Sequence, residues 1–120
     1  MQGTVLVAED SPTEMRIVVD ALEKGGYTVV TATDGEDALA KVARLRPTVV
    51  VLDIVMPKMN GFQVLRQLKT SGETKDIKVL LLSSKNAPSD RFWGMKQGAD
   101  DYLTKPFVDA DLTAAVARLI

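Results

Sequence analysis

Two hydrophobic patterns alternate along the chain. Runs such as Thr4–Ala8 and Thr48–Leu52 are apolar on both faces, as strands are when helices cover both sides of a parallel sheet. Between these runs, apolar residues recur at helical spacing, as at Met15, Val18 and Leu22. The alternation predicts an α/β fold with a doubly wound, five-stranded parallel sheet, each strand followed by a helix, in one domain spanning residues 1–120.

Turn residues and helix caps set the predicted boundaries. The predicted strands are Thr4–Ala8, Tyr27–Ala32, Thr48–Leu52, Ile77–Leu82 and Tyr102–Leu103. Ser11 is the predicted N-cap of the first helix, Pro12 suits its first position, and Glu14 is spaced to complete a capping box. Ser89–Asp90 is predicted to cap the fourth helix, and the last helix is predicted over Asp109–Ile120.

Composition excludes several kinds of chemistry. The chain has 15 basic and 16 acidic residues, a net charge of −1 and no basic run, so no nucleic-acid partner is expected. It has neither cysteine nor histidine, which excludes disulfides, thiolate or imidazole metal sites and Ser-His-Asp catalysis. Any chemistry must therefore come from carboxylates, hydroxyls, lysines and the backbone.

The sequence also bears on location. Thr48–Leu52 with its flanks is too short to span a bilayer, and Met1-Gln2-Gly3 leads into a strand without a basic leader. We expect a cytoplasmic protein with no membrane partner. Because the last predicted helix reaches the end of the chain, no output domain is expected to follow it.

Candidate chemistry lies at the C-terminal ends of the predicted strands, where ligands gather in open α/β sheets. Glu9 and Asp10 follow the first strand, Asp53 the third and Ser83 the fourth, and Lys105 follows the fifth. Carboxylates brought together there repel one another unless a cation lies among them. Oxygen ligands without nitrogen or sulfur favour Mg²⁺ or Mn²⁺, and Lys105 and Ser83 can bind phosphate oxygens.

Each of these residues has a simpler explanation when taken alone. Glu9 and Asp10 can be helix caps or solvated loop charges, and Asp53 can begin a loop. Ser83 can be an ordinary hydroxyl at a strand end, and Lys105 a solvated lysine. The functional interpretation depends on their joint placement at one edge of the sheet.

Four segments, in order, resemble the CheY-like receiver domains of bacterial response regulators over essentially the full chain. These segments are Val5–Ser11, Asp53–Gly61, Leu82–Lys85 and Gly98–Phe107. The resemblance implies a flavodoxin-like sheet of order 2-1-3-4-5. It also implies that the domain is a signalling switch and not an enzyme acting on other substrates.

The resemblance further implies a role for each site residue. Asp53 corresponds to the phosphoacceptor, Asp10 to a direct Mg²⁺ ligand, Glu9 to a ligand acting directly or through water, and Val55 to a ligand through its backbone carbonyl. Two further groups, Ser83 and Lys105, are expected to bind the phosphoryl group.

Tyr102 corresponds to the aromatic switch residue that turns inward on activation, and the Lys105-Pro106 bond is expected to be cis. The phosphoryl donor is expected to be a histidine kinase or a histidine phosphotransfer protein. Activation is expected to change the face formed by the fourth helix, fifth strand and fifth helix, where a downstream protein binds, and slow self-dephosphorylation ends the signal.

The chain departs from the commonest family pattern at a few positions. Glu9 stands where aspartate is frequent, which favours a water-bridged contact with the metal, and Ser83 replaces the more usual threonine. Val55 and Lys85 flank the site where other members often carry polar or small residues. These two side chains are expected to alter water access and hence the lifetime of the phosphoryl group, in a direction that stays open.

The fourth helix contains the only tryptophan of the chain. Its spacing predicts that Phe92, Met95 and Ala99 face the core and that Trp93 lies off this stripe. Trp93 is then either an anchor for a partner or a ring that packs flat over a helix groove. Ser11-Pro12-Thr13-Glu14, and Trp93-Gly94 with Gln97-Gly98, also resemble stand-alone receivers of chemotaxis-type systems that control twitching motility in bacteria.

Two other classes of function compete with this interpretation. One is an interaction module that works without phosphorylation, which would usually lack one of the acidic residues or the lysine. The other is a small-molecule enzyme or a flavin- or nucleotide-binding protein. The first strand–helix junction is acidic and has no glycine-rich loop, which disfavours a bound phosphate there unless a metal intervenes.

Overall fold

The computed structural model of the protein describes residues 3–120; Met1 and Gln2, on which the leader prediction partly rests, lie outside the described residues. The strands are β1 (Thr4–Ala8), β2 (Thr28–Ala32), β3 (Val49–Asp53), β4 (Lys78–Ser83) and β5 (Asp101–Thr104). The helices are α1 (Pro12–Lys24), α2 (Gly35–Leu45), α3 (Gly61–Thr70), α4 (Pro88–Lys96) and α5 (Asp109–Leu119). Each predicted strand is recovered with ends that differ by at most one residue, and β1 has the predicted ends.

The five strands form one parallel sheet in the order β2-β1-β3-β4-β5, which confirms the predicted topology. Every residue of the central strand β3 is buried, whereas the edge strands β2 and β5 are partly exposed. In the register of β1 and β3, Ala8 lies opposite Leu52. Glu9, which follows Ala8, and Asp53, which follows Leu52, therefore lie at the same edge of the sheet.

The sheet separates two hydrophobic layers because successive side chains of a strand point to opposite faces. Leu6 and Val50 face one layer, with α2 and α3, while Val7 and Val51 face the other, with α1 and α5. Both layers are closed to solvent, so the functional groups are confined to the edge of the sheet. No helix within residues 3–120 is long and apolar enough to cross a membrane.

The start of α1 confirms one capping prediction and contradicts another. Ser11 is the N-cap, its hydroxyl accepts a hydrogen bond from the backbone N–H of Glu14 at 3.3 Å, and Pro12 opens the helix. The capping box is wrong, however, because the Glu14 carboxylate does not turn back to the cap. It extends instead to the ammonium of Lys105, at 2.6 Å.

Helix α4 also differs from its prediction. It begins at Pro88 after Ala87, and the predicted capping residue Asp90 is inside the first turn, where its carboxylate accepts a hydrogen bond from Ala87 N. Phe92 and Met95 are exposed, so the predicted core stripe is wrong except at Ala99. The buried residue of α4 is Gly94, whose lack of a side chain lets the helix backbone approach the sheet closely.

Candidate functional site

The site lies beyond the C-terminal ends of β1 and β3. Glu9, Asp10 and Asp53 each offer a carboxylate oxygen, and these oxygens all lie within 4.8 Å of one another. Glu9 and Asp53 are buried, whereas Asp10 is exposed and closes the group on the solvent side. The strand register thus brings together residues that are more than forty positions apart, as expected from the strand ends.

This group of carboxylates has the chemistry of a Mg²⁺ site. All its donors are hard oxygens, one member is open to water, and the arrangement leaves room for a metal that keeps several waters. Asp10 and Asp53 also line a cleft of about 330 Å³, together with Val55, Ser83 and Lys105. The residues present therefore fit a divalent cation.

Lys105 offsets part of the negative charge of the cluster. Its Nζ lies 2.8 Å from Glu9 Oε1, 2.6 Å from Glu14 Oε1 and 3.3 Å from Asp53 Oδ2. Burial lowers the pKa of Lys105, but the hydrogen bonds to Glu14 and Glu9 and the charge on Asp53 outweigh it, so the pKa lies above its ordinary value. The side chain is a fixed positive charge next to Asp53. The Lys105-Pro106 peptide bond is cis, as expected.

Glu9 is the most deeply buried carboxylate of the cluster, with 2% of its surface exposed. Burial raises the pKa of Glu9, and the hydrogen bond from Lys105 opposes that rise. Its second oxygen accepts a hydrogen bond from the backbone N–H of Ser11 at 3.1 Å. Both oxygens are thus held in place, which fixes the carboxylate beside Asp53.

Ser83 and Val55 flank Asp53 on either side of the cleft. Ser83 is buried, and its Oγ accepts a hydrogen bond from Lys85 N at 3.1 Å, which leaves its own O–H free to donate to another group. The backbone N–H of Val55 donates to Asp53 Oδ1 at 3.3 Å. The side chain of Val55 is 64% exposed at the mouth of the cleft.

The two remaining predicted residues lie apart from the carboxylates. The ring of Tyr102 is buried, and its hydroxyl donates a hydrogen bond to the backbone carbonyl of Lys85 at 2.8 Å. Tyr102 is thus already turned inward. Trp93 is half exposed on α4 and does not line the cleft.

Glu14 is the residue of the site that sequence reasoning assigned to another role. It lies in the first turn of α1, four residues after Asp10, and α1 starts directly after the acidic residues that follow β1. That spacing was the available signal, but the capping pattern gave a sufficient explanation of the same residue.

Fold and site together define a class of protein: a CheY-like, flavodoxin-type signalling domain with an acidic edge. The chain belongs to the response regulator receiver domain family, which it matches over residues 5–117. It is 44% identical to protein PilH of Pseudomonas aeruginosa over 116 residues, covering 97% of this chain and 96% of PilH. It is also 46% identical to the probable transcriptional regulatory protein TcrX of Mycobacterium tuberculosis, in a match that covers 98% of this chain but only 49% of that relative.

The chain is also similar in structure to a response regulator and to a receiver domain whose structures have been solved. Chemotaxis response regulator CheY4 of Vibrio cholerae superposes with a TM-score of 0.93 at 32% identity, and the match covers 100% of both chains. The receiver domain of sensor histidine kinase PA1611 from P. aeruginosa superposes with a TM-score of 0.91 at 25% identity, covering 99% of this chain and 98% of that one. That structure has a magnesium ion coordinated in its active site cleft.

Proposed function

We propose that this receiver domain is a phosphorelay switch whose Asp53 accepts a phosphoryl group from a phosphohistidine. The donor is a histidine kinase or a histidine phosphotransfer protein. The observation that carries the proposal is the Lys105 ammonium, which lies 3.3 Å from Asp53 Oδ2 in a cleft open to solvent. Membership of the response regulator receiver family supports it independently.

In the proposed transfer, a carboxylate oxygen of Asp53 attacks the phosphorus atom of the phosphohistidine. The new O–P bond forms while the N–P bond to the leaving imidazole breaks, and the product is an aspartyl phosphate, a mixed anhydride. Lys105 offsets charge on the phosphoryl oxygens, and the Ser83 hydroxyl donates a hydrogen bond to one of them. Water later cleaves the anhydride, so the domain slowly reverses its own phosphorylation.

Asp10, Asp53 and the backbone carbonyl of Val55 are the proposed Mg²⁺ ligands, with Glu9 acting directly or through water; Mn²⁺ is a possible substitute. When bound, the ion supplies positive charge that stabilises the transferring phosphoryl group. The all-oxygen donor set supports this assignment, as does the similarity to the PA1611 receiver domain, whose structure contains magnesium. The longer side chain of Glu9 favours the water-bridged contact.

Phosphorylation is proposed to change the surface formed by α4, β5 and α5, where a downstream protein binds. Ser83 moves toward the phosphoryl group with the segment that follows β4, and that segment accepts the Tyr102 hydrogen bond at Lys85. Tyr102 is already buried in the unphosphorylated protein. We therefore expect the added charge to shift the equilibrium between existing inactive and active conformations, and not to create a new one. The half-exposed Trp93 is proposed as a partner anchor on this surface.

Acetyl phosphate with Mg²⁺ tests the transfer. The wild-type protein should gain the mass of one phosphoryl group, and EDTA should prevent the gain. Asp53→Asn should gain none, whereas Asp76→Asn, which alters an exposed aspartate in the turn before β4, should label as wild type does. Equal labelling of Asp53→Asn and wild type would refute the assignment.

A module that binds partners without phosphorylation is the competing function. It has no specific support here, because the acidic pair, the acceptor aspartate and the lysine are all present and close together. The predicted cytoplasmic location belongs to this proposal and stays a prediction.

A further inference from the structure

Glu14 makes the shortest contact with the Lys105 ammonium, and neither helix capping nor the proposed transfer explains it. Its Oε1 lies 2.6 Å from Lys105 Nζ, compared with 2.8 Å for Glu9 and 3.3 Å for Asp53. An ammonium has three N–H donors, so these three carboxylates occupy all of them. Lys105 can therefore donate to a phosphoryl oxygen on Asp53 only if one carboxylate releases it.

The surroundings of the three carboxylates indicate which one is released. The side chain of Glu9 is 2% exposed, so losing the ammonium would leave a buried carboxylate without a cation. Asp53 is itself the group that receives the phosphoryl group. The side chain of Glu14 is 45% exposed, so water can replace the ammonium there at the smallest cost in free energy.

We propose that Glu14 is a positioning residue that holds the Lys105 ammonium in the unphosphorylated protein and is displaced when a phosphoryl group forms on Asp53. The inference rests on the proposed phosphoryl transfer. A doubly charged phosphoryl group attracts the ammonium more strongly than one carboxylate does, so the exchange favours the phosphorylated state. Glu14 nevertheless competes for Lys105, and it therefore weakens the binding of a phosphoryl group or its mimic.

The size of the effect follows from the exposure of the Glu14 side chain. Partly exposed ion pairs change an equilibrium by roughly two- to five-fold. Glu14→Gln should therefore bind beryllofluoride, a phosphoryl mimic, about two- to five-fold more tightly than wild type at saturating Mg²⁺. Isothermal titration calorimetry measures this affinity directly.

A variant with a shorter carboxylate shows whether Glu14 acts through its contact with Lys105 or only through its negative charge. Glu14→Asp keeps the charge but is one methylene too short to maintain the contact, so it should resemble Glu14→Gln. Glu23→Gln is the matched control, because it removes the same charge from an exposed position of α1 that lies about 13 Å further along the helix axis. This control should bind beryllofluoride as wild type does.

The contact itself has a readout that needs neither metal nor mimic. In the unphosphorylated protein, the ε-methylene NMR resonances of Lys105 should shift in both Glu14 variants and stay unchanged in Glu23→Gln. Unchanged Lys105 resonances in the Glu14 variants would overturn the inference, as would equal or weaker beryllofluoride affinity in Glu14→Gln.

The outcomes separate this inference from the proposed function. If Glu14→Asp binds beryllofluoride as wild type does while Glu14→Gln binds it more tightly, Glu14 acts only through its charge and the positioning role is wrong. If wild type binds beryllofluoride through Asp53 and both Glu14 variants match it, the inference alone fails. If wild type does not bind it at all, the proposed function fails and the Glu14 inference fails with it.

Discussion

The hydroxyl of Tyr102 donates a 2.8 Å hydrogen bond to the backbone carbonyl of Lys85 and so joins β5 to the segment that follows β4. The ring of Tyr102 also lies against α4. A Cβ atom added at Gly94 would be 3.0 Å from Tyr102 Cδ2 and 2.9 Å from Leu81 Cδ1. One buried side chain therefore connects three elements that the proposed switch moves together.

Tyr102→Phe should lower the free energy of unfolding by about 1 kcal/mol, because it removes one hydrogen bond and leaves a partly buried carbonyl without its donor. Amide hydrogen exchange should become faster at residues 84–87 and stay unchanged in β1. Urea unfolding measures the first effect, and Tyr27→Phe, in the opposite core layer, is the control. Unchanged exchange in this segment would show that the Tyr102 hydrogen bond does not hold it.

Gly94→Ala should destabilise the protein although alanine favours helices. The helix propensity gain is about 1 kcal/mol, whereas overpacking costs roughly 1–3 kcal/mol, and the new methyl group would press on Tyr102 and Leu81. We expect a net loss of about 1 kcal/mol in urea unfolding. Gly72→Ala, in the turn after α3, is the control for packing, because apart from its chain neighbours no atom lies within 4 Å of its added Cβ. A Gly94→Ala variant at least as stable as wild type would contradict this packing.

Lys105→Met should destabilise the protein at neutral pH because it leaves Glu9 buried without its cation. Breaking a fully enclosed ion pair costs roughly 3–5 kcal/mol, and the open cleft reduces this to about 2 kcal/mol. Lys75→Met, at an exposed position, should show no such loss.

The loss of stability in Lys105→Met should depend on pH. Burial already raises the pKa of Glu9, and the variant loses the hydrogen bond that opposes this rise. Folded Lys105→Met therefore binds a proton more readily than the unfolded chain, so its stability relative to wild type should increase as pH falls from 7.5 to 5.5. The raised pKa of Lys105 keeps the wild-type ammonium charged throughout this range. Urea unfolding at both pH values gives the difference, and a gap that widens on acidification would contradict the sign.

Trp93 reports on the proposed output surface because it is the only tryptophan and lies half exposed on α4. Beryllofluoride with Mg²⁺ should change its fluorescence emission in the wild-type protein, and Asp53→Asn should show no change. A constant emission while calorimetry detects binding at Asp53 would mean that α4 does not respond.

Much of the fold could be predicted because the hydrophobic pattern and the parallel sheet constrain each other. Strands that are apolar on both faces must be covered by helices. Because the C-terminal ends of parallel strands lie at one edge of the sheet, the sequence alone predicts that Glu9 and Asp53 lie close together. The strand order itself came from the family resemblance and not from the pattern.

The errors have physical causes. Gly94 has no side chain and gives no hydrophobic signal, so the periodicity of α4 pointed to Phe92 and Met95 although the helix backbone itself meets the sheet. Glu14 fitted a local capping pattern, whereas its partner Lys105 is 91 positions away. A local sequence pattern cannot show that the tertiary structure brings the long side chain of Lys105 next to Glu14.

A Mg²⁺ titration followed by amide NMR tests the central claim, that Glu9, Asp10 and Asp53 hold a common divalent ion. The shifts should concentrate at residues 9–11 and 53–55 and should saturate. Because losing even an outer-shell partner weakens metal binding by about 10–100-fold, Asp10→Asn should lower the affinity at least about ten-fold. Asp34→Asn, which alters the N-cap of α2, should leave the affinity unchanged. Shifts centred elsewhere, or an Asp10→Asn variant that binds Mg²⁺ as tightly as wild type, would contradict the account.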